Sequence, residues 1–168
     1  MAGADRIELA NQIAVQDLLA LGDFLTLPED DLALASILKS PLFGLDDDDL
    51  LTLCPLRKRT LWRALLDAAD SKPEYAAAAA TLKRWRKEAD FMPPFEFYSA
   101  VLDKGGGRER FLNRLGPDAA DGIDAFLNLA LTYDDGAPPS LTGFLSSVRA
   151  SGHTIKRDME QAATRFAS

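Results

Sequence analysis

The sequence predicts an all-α fold, a single globular helical domain of about eight helices. Three observations carry this reading. Apolar residues recur at three- and four-residue spacing through nearly the whole chain. The breaks between those stretches are short and built from Pro, Gly and Asp, at 91–94, 104–107, 116–118 and 134–140. Strand patterning is nearly absent, and only Arg6, Ile7, Glu8 and Leu9 read as a short extended stub near the N-terminus.

The elements follow in order. Val15, Leu18, Leu19, Gly22 and Leu25 share one helical face, closed by Pro28. Leu34, Ile37 and Leu38 continue the pattern up to Lys39, Ser40 and Pro41. Proline cannot continue that helix, and Gly44 allows a tight hairpin. Asp46 then caps the next helix, with Asp47, Asp48 and Asp49 at its positive end. Thr60 caps a helix carrying Leu61, Ala64, Leu65 and Ala68. Pro73 suits a first turn, and Tyr75, Ala78, Ala79, Leu82, Trp85 and Ala89 form a stripe behind it. The Ala76–Ala80 run is strong helix former that admits close approach of a neighbour. Phe95, Tyr98 and Leu102 follow the Pro93–Pro94 break. Ala119, Ile123, Phe126, Leu127, Ala130 and Tyr133 make the best helix of the second half. Ser140 caps a last one with Leu141, Phe144, Leu145 and Val148.

With 168 residues, 47% of them apolar and 27% charged, the chain can bury a proper core as one domain, residues 1–168. No apolar run reaches the roughly 20 residues of a membrane helix, so no membrane partner is expected. No basic stretch followed by an apolar segment opens the chain. With a single cysteine, Cys54, this gives a cytoplasmic expectation. The net charge of −7 argues against a uniformly basic nucleic-acid module but leaves room for a local basic face.

Catalytic chemistry has few carriers. One histidine, His153, and Cys54 leave Cys/His and Ser/His/Asp catalysis without a constellation, and a zinc site without its ligands. His153, after Gly152, reads as a surface residue at a helix end, and Cys54 as an apolar filler. The four consecutive aspartates point in different directions on a helix and lack the alternating ligands of a calcium loop. No metal site and no catalytic residue is therefore expected. Gly105, Gly106 and Gly107, followed by Arg108 and Arg110, lack the Lys-Ser/Thr of a phosphate loop. They read as a flexible linker into a helix, with a modest phosphate contact as the functional remnant.

The positive signal is basic. On the stripe that turns Leu82 and Trp85 inward, Lys83, Arg84 and Lys87 face solvent and Arg86 lies at the border. Such a turn can grip a phosphate backbone. Arg57, Lys58 and Arg59 form a weaker cluster before Thr60.

Two stretches resemble one family. Residues 32–50, "LALASILKSPLFGLDDDDL" within them, are similar to the segment that opens the 2B subdomain of UvrD/RecB-type superfamily 1 helicases, closest to the AddA subunit of bacterial AddAB helicase-nucleases. Residues 123–160, with "SLTGFLSSVRASGHTIKRDME", resemble the end of that region, and Leu61 to Leu65 fit between. The resemblance spans about residue 5 to 160 and implies a fragment, a 2B-like accessory subdomain. It further implies a parent ATP-dependent DNA helicase and exonuclease of the bacterial cytoplasm that acts in double-strand-break repair. In that family ATP and magnesium belong to flanking motor domains, so no cofactor is expected here. The family hairpin carries two glycines that approach duplex backbone. This chain keeps one, Gly44, among Phe43, Gly44 and Leu45, with the aspartates following.

The resemblance and the basic face together give a set of expected DNA contacts: Lys39, Gly44, Lys83, Arg84, Arg86, Lys87, Arg108, Arg110 and Arg114. The expected partners are duplex DNA, the remaining helicase domains and a nuclease subunit. The alternative is a protein-docking or regulatory scaffold without DNA contact, marked by an exposed apolar patch at Leu42, Phe43, Phe91 and Met92.

Overall fold

A computed structural model describes residues 2–54, 59–133 and 138–150, with side chains from residue 12 onward. The described residues form nine α-helices and no strand. They are α1 (Ala2–Thr26), α2 (Asp31–Lys39), α3 (Asp47–Leu53), α4 (Leu61–Ala68), α5 (Pro73–Phe91), α6 (Pro94–Ser99), α7 (Gly107–Leu115), α8 (Ala119–Thr132) and α9 over 141–150. Residues 6–9 are helical rather than extended. Ile7, Ala10, Ala14, Leu18 and Leu21 follow one another at three- and four-residue spacing, so the N-terminal residues continue the helix that buries Ala14, Leu18 and Leu21.

The helix starts obey local chemistry. Asp30 accepts the Ala33 N–H at 3.0 Å to cap α2. At α3 the Asp46 carboxylate accepts the Asp49 N–H at 2.8 Å and the Asp49 carboxylate accepts the Asp46 N–H at 3.1 Å, a reciprocal capping box. Thr60 Oγ1 accepts the Arg63 N–H at 3.2 Å, and Pro73 opens α5. Ser140 Oγ accepts the Gly143 N–H at 3.1 Å at the start of α9. Asp31, in the first turn of α2, accepts the Leu61 N–H at 2.8 Å and so ties the start of α4 to α2.

α1 is the spine, packed against α2, α5 and α8. Its buried face is wider than the spacing of Leu18, Leu19 and Gly22 suggests, because Leu21 and Phe24 are fully buried too, Phe24 with its ring 5.2 Å from Trp62 of α4. The second half of the core is aromatic. Tyr98 of α6 packs edge-on against Phe126 of α8 at 4.8 Å, and Phe126 against Phe144 of α9 at 5.4 Å. α6 continues into a π-helical turn, Ala100–Lys104, whose end is fixed by the Gly105 N–H donating to the Ala100 carbonyl at 2.9 Å. Together they bury Phe97, Tyr98, Val101 and Leu102, while Phe95 stays half-buried. On α5 the expected stripe holds through Tyr75, Ala78, Ala79, Leu82 and Trp85, which are buried, while Ala89 at its end is half-buried.

α1, α6 and α9 meet at Gly22. The Tyr98 hydroxyl passes beside it and donates to the Leu18 carbonyl at 2.8 Å, within a fully buried site. A Cβ at position 22 would stand 2.6 Å from the Tyr98 hydroxyl and 2.7 Å from Leu145. Gly22→Ala is therefore expected to destabilise the protein by about 1–3 kcal/mol, as overpacking does. Urea unfolding should show a lower midpoint at unchanged slope.

A polar tie joins α3 to α5. Asp49 Oδ1 accepts the Tyr75 hydroxyl at 2.8 Å and the Lys72 ammonium at 3.2 Å. The Asp46 N–H first, then the Tyr75 hydroxyl and Lys72, hold the Asp49 carboxyl down at about 2. Because the folded value lies below the ordinary 3.8, this stabilisation is present above about pH 4 and is lost as pH falls through about 2. Unfolding titrations from pH 5 to 2 should show that fall in the wild type and a flatter profile in Asp49→Asn.

Candidate phosphate-contact surfaces

The hairpin between α2 and α3 is built from its own backbone. Ser40, at the end of α2, donates its hydroxyl to the Ile37 carbonyl at 2.6 Å and accepts the Leu42 N–H at 3.2 Å. The Gly44 N–H donates to the Ser40 carbonyl and the Leu45 N–H to the Leu38 carbonyl, each at 2.8 Å. Gly44 adopts φ +68°, a left-handed conformation that favours glycine. Leu42 and Leu45 plug into the core, and the Phe43 ring packs at a tilt against Trp85 of α5, centroids 5.6 Å apart. The hairpin is thus seated on α5.

α7 supports it from the other side. Arg110 Nη1 donates to the Leu42 carbonyl at 3.2 Å, and Arg114 Nη1 donates to the Lys39 carbonyl at 2.7 Å. The Arg114 guanidinium lies so close to the turn that a Cβ on Gly44 would meet it at 3.3 Å. Arg110 and Arg114 are four residues apart, one turn of helix, so both reach the same strip of backbone. Lys39 pairs with Asp47 at 2.6 Å. Arg108 pairs with Asp124 at 2.8 Å and lies 3.7 Å from Asp103, linking α7 to α8. Burial pushes the Asp17 carboxyl up to about 6, and the nearby Arg114 charge partly offsets this.

The outer face of α5 differs. Lys83, Arg84 and Lys87 are exposed and Arg86 is half-buried, as the helical wheel requires once Leu82 and Trp85 turn inward. Arg84 has a loose i,i+4 partner in Glu88 at 3.8 Å. Lys83, Arg86 and Lys87 make no ion pair among the described residues.

The nine expected contacts therefore fall into two groups. Lys83, Arg84, Arg86 and Lys87 lie on one helix face. Lys39, Gly44, Arg108, Arg110 and Arg114 gather around the hairpin and α7, where all four cations already hold carbonyls or carboxylates. The grip of Arg110 and Arg114 on the hairpin is what sequence reasoning missed. Their i,i+4 spacing marks a shared face, but nothing local names a partner 68 and 75 residues away.

Three further expectations change. The glycine stretch is a compact turn rather than a linker, with the Gly105 and Gly106 N–H groups donating to the Ala100 and Asp103 carbonyls and Gly107 buried. Leu42, Phe43, Phe91 and Met92 do not form one exposed patch. Leu42 is buried, Phe43 and Met92 are half-buried, and Phe91 alone is open to solvent, because the hairpin folds inward onto Trp85. Cys54 is half-buried at the end of α3. Arg57, Lys58 and His153 lie outside the described residues.

Among the described residues no group of three or more His, Cys, Asp and Glu side chains is placed to hold a metal ion. No described helix is long and apolar enough to cross a membrane. No protein-family model matches the chain, and no curated protein matches it significantly.

The two groups of cations should respond differently to substitution. Arg114→Ala removes a charged donor from the hairpin and is expected to destabilise by about 1–2 kcal/mol. Lys83→Ala, on the open face of α5, should stay within about 0.5 kcal/mol of wild type. Paired thermal or urea denaturation of the two variants measures the contrast.

Proposed function

We propose that this chain is a non-catalytic, 2B-like accessory subdomain of an ATP-dependent DNA helicase and exonuclease of the UvrD/RecB type. Its role is to orient duplex DNA relative to the motor by gripping phosphates. The observation that carries the proposal is the outer face of α5, where Lys83, Arg84, Arg86 and Lys87 fall within little more than one turn and, among the described residues, only Arg84 makes an ion pair. Three or four cations on a rigid helix can follow a phosphate backbone without reading bases.

The hairpin supports the reading in a different way. Its cations are committed to the fold, so its part is to hold shape beside α5 through Phe43 and Trp85. Gly44 is exposed at the turn, with its N–H bonded to the Ser40 carbonyl and the Arg114 guanidinium beside it. The resemblance of residues 32–50 and 123–160 to the helicase segment supplies the context of motor, nuclease partner and cytoplasmic repair. ATP hydrolysis and DNA cleavage belong, in this proposal, to the parent's other domains.

A salt titration of duplex binding by the chain tests the proposal. Binding should weaken steeply between 50 and 200 mM salt. Charge reversal of Lys83 and Arg84 together should lower affinity at least about tenfold and reduce the slope of log K against log salt by roughly 0.9 per lost contact. Absence of binding at low salt, or binding indifferent to both reversals, overturns it.

A further inference from the structure

The basic stripe of α5 runs on into an aromatic ring. Lys83, Arg84 and Lys87 are followed on the outer side of the helix by Phe91, four residues after Lys87 and seven after Arg84. At that spacing the four side chains share one face. Phe91 also comes nine residues, or two and a half turns, after the fully buried Leu82. The wheel that sinks Leu82 into the core therefore holds Phe91 out, and it is 71% exposed. α5 ends at Phe91 and Pro93 leads into α6, so the ring stands at the rim of the last turn. Among the described residues no aromatic ring packs on Phe91 and no cation lies over it.

One exposed phenylalanine is ordinary. The charges beside this one set it apart. Lys83 and Lys87 make no ion pair among the described residues, and Arg84 has only its loose contact with Glu88 at 3.8 Å. Beyond Lys87 the sign changes, because Glu88 and Asp90 flank the Phe91 position and the helix ends there on its negative pole. A strand lying on the three cations is therefore repelled if its next phosphate falls over Phe91. An uncharged base is not repelled, and an aromatic ring is the surface on which a base stacks. The bases of a duplex are already stacked on one another, so only an unpaired nucleotide can offer its face to the ring.

We infer that the outer face of α5 takes a single strand at the end of a duplex, with phosphates on Lys83, Arg84 and Lys87 and one unpaired base stacked on Phe91. Side chains four apart on a helix stand roughly 5–6 Å from each other at Cβ, so a nucleotide whose phosphate meets Lys87 has its base within reach of the ring. The inference rests on the phosphate-contact reading of α5 and adds the kind of strand that the face prefers. Stacking tolerates any base, so no sequence preference accompanies it.

Three DNAs test it with the full chain at low salt: a blunt duplex, the same duplex with a short oligothymidine tail, and the same duplex with an abasic tail of equal length. The abasic tail carries the same phosphates without bases. The thymidine tail should bind at least about fivefold tighter than the abasic one, as a single base–aromatic stack requires. Phe91→Ala should erase that gain and leave blunt-duplex binding and the thermal midpoint nearly unchanged, because the ring stands in solvent. Phe91→Trp should keep the gain, and the thymidine tail alone should quench the added indole fluorescence. Equal binding of the two tails, or a gain that survives Phe91→Ala, overturns the inference, while salt-sensitive duplex binding in the same experiment leaves the phosphate reading standing. Failure of all three DNAs to bind removes that reading and the inference with it. Phe91-dependent binding to phosphatidylserine vesicles, with no gain from the thymidine tail, assigns the ring and its cations to an acidic membrane surface and overturns the inference as well.

Discussion

The contact on which the rest of this structure depends is the crossing of α1 by the Tyr98 side chain at Gly22. α1 carries α2 on one side and α8 on another, so whatever fixes α6 and α9 against it fixes the whole bundle. The Tyr98 hydroxyl does this with one directional bond to the Leu18 carbonyl, while its ring anchors Phe126 and Phe144. Burial raises that phenol's pKa above its ordinary value and so favours the protonated, donating hydroxyl. At the solvent edge of the same crossing, Arg149 of α9 makes a two-pronged pair with Asp23 of α1 at 2.8 and 2.5 Å. Apolar packing supplies most of the driving force here, and these polar bonds select one crossing from several that would bury similar area.

A second theme is that arginine serves the backbone. The hairpin must leave α2, reverse and enter α3 within a few residues, which strands carbonyls that no helix can satisfy. Two of those carbonyls, at Lys39 and Leu42, are met by Arg114 and Arg110 from α7. The rigid guanidinium suits this work because it reaches far and presents several donors at once. The consequence for function is subtractive: cations already serving carbonyls are poor sources of phosphate affinity, so the open face of α5 becomes the better surface.

Much of this was legible in the sequence, and the division has a physical basis. Caps and periodicity are local, so Asp46, Thr60, Pro73 and Ser140 could be placed from neighbours a few residues away, and the stripe from Tyr75 to Trp85 followed from 3.6-residue geometry. Residues 6–9 misled because four residues are too few to separate a strand from a helix turn, and only the continuation through Ala14 decides. The glycine stretch looked like a linker because composition carries no information about the carbonyls of Ala100 and Asp103 that close it. Leu42 and Phe43 belonged to the exposed patch that would mark the docking-scaffold alternative. Their burial depends on Trp85, more than forty residues away, turning its ring toward them. The surface placement of the four cations of α5 followed from the sequence because it needs only the wheel. The partners of the α7 cations could not be read that way, because they are set by tertiary approach.

The acidic total is compatible with the proposed phosphate-gripping face because charge acts over a short range. The carboxylates of α3 are fastened to the N-terminal end of α5 through Asp49, Lys72 and Tyr75. The cations begin at Lys83, so they lie 8 to 12 residues further along the same helix. At 1.5 Å per residue that is a separation of roughly 12–18 Å, against a Debye length of about 8 Å at physiological salt. Screening leaves each end of α5 with its own local potential. Glu88 and Asp90 sit nearer and do weaken the basic face, Glu88 through its loose contact with Arg84. A polyanion that displaced Glu88 would gain a fourth cation, whereas one approaching the α3 end would meet Asp46, Asp47 and Asp48 in turn. The helix is polarised along its length, and that polarity, more than the net charge, decides which end a phosphate backbone can approach.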